Sequence, residues 1–265
     1  MEHWIITAGS ANFYDNLLTS FIASLRETAG WKGKIGIMNY GLTPHQTWTL
    51  QQVDPHIVVI PPAMKYKALI DDRFTTIARH FKGKEAKIAT WDADMWFCRD
   101  VSAIFPLVKP NQLSCTYDST FQGFMTGCVN PDMHEPVGEC IDAVRKDITH
   151  VLQGGFIAGD SEAWDHFSGY QDTMIKLGVC YDAFGVDMVA LNLLKHFWPD
   201  RIQLMGVEWN CLPEWGIQKK DGVFYCNEAS EPLRAIHVSS PNRKAPYMYE
   251  TYYPEEFNKW KSMLT

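Results

Sequence analysis

Short apolar runs alternate with stretches of helical period through the first part of the chain. Trp4-Ile5-Ile6-Thr7 is a continuous apolar run of the kind a buried strand shows, and Leu17, Leu18, Phe21, Ile22 and Leu25 then recur at helical spacing. Asp15 is placed to cap that helix, and Gly30 to stop it. Lys34 to Met38 and His56 to Ile60 read as second and third strands, with a helical piece after Pro44 between them. Asp71 to Phe81 reads as a helix and Lys87 to Trp91 as a fourth strand. Further on, Gln112 to Asp118 and Gly155 to Ile157 predict strands, while Pro136 to Val151 and Val186 to Phe197 predict helices. Ile202 to Met205 and Ala235 to Val238 predict short late strands. This alternation predicts an α/β fold with a largely parallel sheet. No repeat, low-complexity tract or linker divides the chain, so a single domain over residues 1–265 is expected.

The fourth strand ends in Asp92-Ala93-Asp94. In an open α/β sheet the ligand crevice lies beyond the carboxyl ends of the strands, so acids there meet a ligand instead of a core. Two carboxylates one residue apart can share a hard divalent cation and leave coordination positions for diphosphate oxygens. A bare Asp-x-Asp is frequent on solvated surfaces. Here Met95-Trp96-Phe97 follows at once, and acids set between two apolar segments are costly to bury without a partner.

Composition narrows the partners. With 46% hydrophobic residues the chain can bury a sizeable core. The 31 Asp and Glu outnumber the 24 Lys and Arg for a net charge of -7, which speaks against a broad nucleic-acid surface; Arg243-Lys244 is a local basic pair. The seven cysteines are scattered and never spaced as C-x-x-C, which argues against a zinc site or disulfide framework and fits a reducing, cytoplasmic setting. No run approaches the roughly 20 apolar residues that cross a bilayer, and the N-terminus lacks a signal-peptide layout. Neither a transmembrane segment nor an anchor ahead of the first strand is therefore expected. Phe257, Trp260, Lys261 and Leu264 could line a short C-terminal helix that makes peripheral membrane contact, whereas Glu250, Glu255 and Glu256 would repel an anionic bilayer and favour packing on the domain.

The run from Thr90-Trp91-Asp92-Ala93-Asp94-Met95-Trp96-Phe97 to Asp100-Val101-Ser102 and Ile104-Phe105 resembles the Asp-x-Asp segment of glycosyltransferase family 8, the glycogenin and bacterial galactosyltransferase group. The resemblance implies a GT-A fold: a Rossmann-like, mixed but mostly parallel sheet flanked by helices, with a nucleotide-binding half over 1–105 and an acceptor-side half over 106–265. It implies transfer of a sugar from a nucleoside-diphosphate donor, UDP favoured, to a saccharide acceptor. It also implies Mn2+ or Mg2+ held by Asp92, Asp94 and a late histidine. That histidine is His237, because Ile236-His237-Val238 through Lys244-Ala245-Pro246-Tyr247 resembles the family's closing His-x-x-Gly-x-x-Lys-Pro-Trp motif. The spacing is one residue longer, Gly is absent, and Ala245-Pro246-Tyr247 replaces Pro-Trp. Lys244 is then the residue implied to bind the diphosphate.

Other segments follow in the family's order. Thr7-Ala8-Gly9 with Tyr14 resembles the loop that holds the donor base and ribose, and Arg73 resembles an arginine that contacts donor phosphate or sugar. Gly154-Gly155-Phe156-Ile157-Ala158-Gly159 resembles a Phe-Asn-Ala-Gly segment lining the donor sugar, with Ile157 in place of Asn; this implies Gly155, Ala158 and Gly159 at the sugar. Phe184 to Asn192 resembles the family's Asp-Gln-x-x-Leu-Asn helix start, with Met188 in place of Gln. Asp187 would then hold donor hydroxyls, although an Asp in a first helical turn is also stabilised by the exposed N–H groups.

Family 8 retains configuration; an inverting enzyme would need a carboxylate base, and Asp160 is the candidate. Trp209, with Trp164, Trp215, Glu208 and Asn210, comes from the half where acceptor sites are built, and aromatic faces bind sugar rings. Two other classes remain open. One is a non-catalytic sugar-nucleotide or carbohydrate-binding module on the same fold. The other is a haloacid-dehalogenase-type phosphatase with Asp92 as nucleophile, against which stand the motif's place after three strands and the Met-Trp-Phe that follows.

Overall fold

The computed structural model describes residues 1–67, 69–117, 129–133, 135, 137–147, 151–182, 185–238 and 248–265. Strands β1 (Glu2–Gly9), β2 (Lys34–Asn39) and β3 (Ile57–Ile60) pair in parallel, β2 in the middle. With β4 (Ala86–Trp91), β6 (Leu113–Tyr117), β7 (Leu152–Asp160) and β8 (Ile202–Leu204) they form a seven-stranded sheet of order β3-β2-β1-β4-β7-β6-β8. β6 runs antiparallel to β7 and parallel to β8. Two antiparallel ribbons stand apart from it: β5 (Met95–Phe97) with β11 (Ala235–His237), and β9 (Gln218–Lys220) with β10 (Val223–Tyr225). The predicted α/β fold with a mostly parallel sheet flanked by helices is the fold observed.

The chain divides into two compact units. The one built from residues 3–60, 89–107 and 206–265 has a helix over 11–28 at its centre, wound as π turns over Tyr14–Leu18 and Ser24–Thr28. The helix begins at Ala11, whose N–H donates to the Gly41 carbonyl at 3.1 Å, so Asp15 lies inside it and does not cap it. This tertiary bond is invisible to local pattern. Arg26, buried near the helix end, donates to Asp54 Oδ2 at 2.7 Å and to the carbonyls of Trp31 and Gly33 at 2.7 and 3.0 Å, tying the helix to the chain that follows. The C-terminal helix Pro254–Leu264 packs here too. Phe257, Trp260 and Leu264 keep only 1, 6 and 3% of their surface exposed, so the face considered for membrane contact is used for packing.

The second unit comprises residues 1–2, 61–88 and 108–205. Its helix Leu69–Phe81 packs on a helix absent from the sequence expectations, Ser161–Lys176, through Phe74 stacked on Trp164 at 6.0 Å and edge-on to Phe167 at 5.0 Å. The helix Val186–Phe197 lies where predicted and is locked to β7 by Asn192, whose amide oxygen accepts from Leu152 N–H at 3.1 Å and whose Nδ2 donates to Leu152 O at 3.0 Å. The helix expected over 136–151 is shorter, Gly138–Lys146, with 136 and 148–150 outside the described residues; β7 is correspondingly longer than predicted. Asp118, expected at the end of β6, also lies outside them. Among the described residues no helix is long and apolar enough to cross a membrane.

The helix Pro44–Val53 starts with a capping box, Thr43 Oγ1 accepting from Gln46 N–H at 3.1 Å and Gln46 Oε1 from Thr43 N–H at 3.0 Å. Thr43→Ala is expected to cost about 1 kcal/mol of stability, read as a lower urea midpoint at unchanged slope.

Candidate active site

The two acids of the Asp-x-Asp motif sit in the tight turn that leaves β4, where Met95 N–H donates to Asp92 O at 3.2 Å. The chain then enters β5, and the register of that strand decides the site. Phe97, Trp96 and Met95 pair with Ala235, Ile236 and His237, and Val238 N–H donates to Asp94 O at 3.0 Å. The ribbon is fixed on its other sides as well. His237 N–H donates to Cys211 O at 2.8 Å, Phe97 N–H to Ser24 Oγ at 3.0 Å, and Trp91 Nε1 to Trp209 O at 2.9 Å. Trp96 is wedged against Phe224 and Tyr249 at 5.2 and 5.7 Å.

His237 Nε2 thereby lies 3.3 Å from Asp94 Oδ1 and 3.8 Å from Asp92 Oδ2. One ligand atom from each of the three side chains lies within 4.8 Å of the others. The imidazole is buried, at 7% exposure, while the two carboxylates keep 30 and 31% and so remain open to a ligand. Carboxylates held this close repel unless positive charge joins them. Two carboxylate oxygens and one imidazole nitrogen suit a hard or borderline divalent ion, and three protein ligands leave places for phosphate oxygens or water. The residues present fit the ion that the sequence implied.

A second polar cluster lies within the unit containing β7. Arg73, on the Leu69–Phe81 helix, donates from Nη2 to Gly154 O at 2.8 Å and to Asp187 Oδ2 at 3.1 Å, with both side chains buried. Asp187 stands in the first turn of its helix, which opens at Gly185 with φ 96°. The double glycine of β7 makes room for the pair. Thr116 pairs with Gln153 and Cys115 with Ile157, so residues 154–156 bulge out of the ladder. A Cβ on Gly154 would lie 1.8 Å from Asp187 Oδ2 and 2.5 Å from Arg73 Nη2.

The other sequence candidates fall elsewhere. Ala8 is half-buried at the carboxyl end of β1. Tyr14 is buried, donates to Leu264 O at 3.0 Å and is pushed up to about 12, first by burial and then by Asp15. Gly155 belongs to the bulge, but Ala158 and Gly159 lie beyond it in regular ladder, Ala158 opposite Ser114 and Gly159 packed against Leu113, away from the Arg73–Asp187 pair. Asp160 caps the Ser161–Lys176 helix: Oδ1 accepts from Ala163 N–H at 2.8 Å and Oδ2 from Asn111 N–H at 2.9 Å, so neither oxygen is poised as a base. Trp209 keeps 2% exposure beneath the Arg234 guanidinium, which lies 4.7 Å from its ring, and Trp164 is wholly buried; neither offers a face to a sugar. Lys244, with the rest of the closing motif from Ser239 to Tyr247, and Phe184 lie outside the described residues. Sequence reasoning passed over Gln153, a buried carboxamide next to Gly154 whose Oε1 accepts from Gly155 N–H at 3.1 Å. Its only signal was a polar side chain inside an apolar, glycine-rich strand.

Two expectations follow from this geometry. Gly154→Ala displaces the Arg73–Asp187 pair and lowers unfolding free energy by about 1–3 kcal/mol in denaturant titration, whereas Gly169→Ala, where an added Cβ meets nothing within 4 Å, does not destabilise. Manganese binding, followed by the loss of the free-ion paramagnetic resonance signal, weakens at least about tenfold in Asp94→Asn and in His237→Ala; wild-type affinity in either variant would remove that side chain from the ligand set.

Neither a family model nor a curated protein matches the sequence. Solved structures match its fold. The apo WbbM bifunctional glycosyltransferase superposes with TM-score 0.63 at 12% identity, over 100% of this chain but 52% of that one, so the chain spans about half of it. The galactosyltransferase LgtC, solved with donor and acceptor sugar analogues, gives TM-score 0.60 at 12% identity over 99% of this chain and 96% of its own. Mouse xyloside xylosyltransferase 1 gives 0.60 at 10% identity over 93 and 99%. Identity this low speaks for fold alone, and the fold is the GT-A arrangement of these glycosyltransferases.

Proposed function

We propose that residues 1–265 form one GT-A catalytic domain that moves a sugar from a nucleoside-diphosphate donor, with UDP favoured, to a saccharide acceptor. The observation that carries this reading is the convergence of Asp92, Asp94 and His237 within 4.8 Å at the carboxyl end of β4. The fold shared with a galactosyltransferase and a xylosyltransferase supports it.

Asp92, Asp94 and His237 would hold the divalent ion, and the imidazole favours Mn2+ over Mg2+. When bound, such an ion offsets negative charge developing on the departing nucleoside diphosphate. Asp187, fixed by Arg73, takes hydroxyls of the donor sugar. Lys244 is assigned to the diphosphate on the family resemblance. The acceptor hydroxyl attacks the anomeric carbon from the face the diphosphate leaves as the bond to it breaks, and its proton passes to the departing diphosphate oxygen, with rate gained chiefly from positioning. Because Asp160 is committed to capping, no base is assigned, and the retaining course implied by the resemblance is kept. The scattered thiols keep a reducing, cytoplasmic setting within this reading.

The test is nucleotide release from a panel of UDP- and GDP-sugars with and without Mn2+. Metal-dependent release that rises with a saccharide acceptor is expected. Asp94→Ala should lower it at least about 100-fold with the fold intact, and His237→Ala should raise the Mn2+ needed for half-maximal rate. Sugar-nucleotide binding without metal-dependent release would identify a binding module in place of an enzyme.

A further inference from the structure

A cavity of about 240 Å3 opens within the second unit where the start of β6 meets the Ser161–Lys176 helix and the end of the Val186–Phe197 helix. It sits at the Gly159 end of β7, whereas the Arg73–Asp187 pair sits at the Gly154 end. Its wall is aromatic. Phe167 is buried, Tyr170 meets Trp198 edge to face at 5.5 Å, and Trp198 keeps 51% of its surface exposed.

The rim is polar and held in place by the same bonds that cap the neighbouring helix. Asn111, in the left-handed region at φ 59°, donates its N–H to Asp160 and its Nδ2 to Glu162 at 3.2 Å. It pairs through Oδ1 with His166 Nδ1 at 2.8 Å and accepts from Arg201 at 3.4 Å. Several polar groups of this cavity remain unspent. Among the described residues the Tyr170 hydroxyl, the Trp198 indole N–H and His166 Nε2 have no hydrogen-bond partner, and the Arg201 guanidinium makes that one long bond and no ion pair.

We propose that this cavity is a second saccharide site, which takes one neutral hexopyranose residue of a glycan chain. An apolar occupant would strip water from these donors and acceptors and leave them without partners, a desolvation cost that nothing in it offsets. A nucleotide exceeds a space below the roughly 300 Å3 at which ordinary ligand pockets begin. A pyranose meets both demands: its C–H face lies on the Trp198 ring, and its hydroxyls donate and accept along the rim. The biological occupant, a distal unit of the acceptor, rests on the glycosyltransferase reading; the binding chemistry does not.

The experiment titrates methyl glucopyranosides and galactopyranosides into protein labelled with 15N at its ten tryptophans, with glycerol as control. The Trp198 indole resonance is identified by its absence in Trp198→Phe. A saturable shift of that resonance is expected, with affinity at least about fivefold weaker in Arg201→Ala and with Mn2+ binding at Asp92, Asp94 and His237 unchanged. A silent Trp198, a shift that rises linearly as it does with glycerol, or full affinity in Arg201→Ala overturns the proposal. Glycoside binding without sugar-nucleotide turnover would sink the transferase reading alone, and turnover with a silent Trp198 would sink the second site alone.

Discussion

The register of β5 against β11 sets His237 opposite Met95, and with it the distance from the imidazole to Asp92 and Asp94. Side chains alternate faces along a strand, so a slip of one residue would carry the imidazole to the other side of the ribbon and leave two carboxylates without a nitrogen ligand. A ribbon of three pairs cannot hold its own register against water. It is held by what surrounds it: Trp96 among Phe224 and Tyr249, Phe97 N–H on Ser24, and His237 N–H on Cys211. The apolar Met95-Trp96-Phe97 run beside the acids is therefore the device that aligns the His237 imidazole with the two carboxylates.

The Arg73–Asp187 pair obeys a different constraint. Both groups are buried, and buried charges are tolerated only when they are paired and hydrogen-bonded in good geometry. The guanidinium meets this by bridging a carbonyl of β7 and a carboxylate in the first turn of the Val186–Phe197 helix, where the helix N-terminus adds favourable potential. The bridge needs the β7 backbone close to the carboxylate, and only glycine at 154 allows that approach. Bulge, glycine and ion pair are thus one feature of the fold.

Much of this was legible in the chain. The strands β1 to β4 and the Val186–Phe197 helix could be read from apolar runs, and the convergence of His237 on the Asp-x-Asp acids from the resemblance to family 8's closing motif. The failures have physical causes. The Ser161–Lys176 helix buries Ser168 and Gln171 beside Ala163, Trp164 and Phe167, so two of its five buried positions are polar and its apolar period is weakened. Trp209 and Tyr14 are side chains with a polar tip and a large apolar body, and sequence cannot say which end a fold will use; here burial used the body. The resemblance that places Gly155, Ala158 and Gly159 in one segment carries no information on where the strand departs from its ladder. The bulge over 154–156 depends on β6, a partner distant in sequence, and it separates Gly154 from Ala158 and Gly159.

The aspartates show how one residue type takes different work from its surroundings. Asp160 receives two backbone N–H groups and becomes a cap, while Asp54 receives Arg26 and becomes a staple. Asp172 is pushed up by burial, yet hydrogen bonds from Lys176, Lys65 and Tyr66 outweigh that and hold its carboxyl well below the usual range, so it clamps the loop after β3. In each case the compensating positive charge or donor comes from the fold itself. Asp92 and Asp94 face the His237 imidazole, a nitrogen donor brought to two carboxylates by the register of β5 against β11. Two carboxylate oxygens and an imidazole nitrogen within 4.8 Å of one another, with both carboxylates partly exposed, form a donor set suited to a divalent ion.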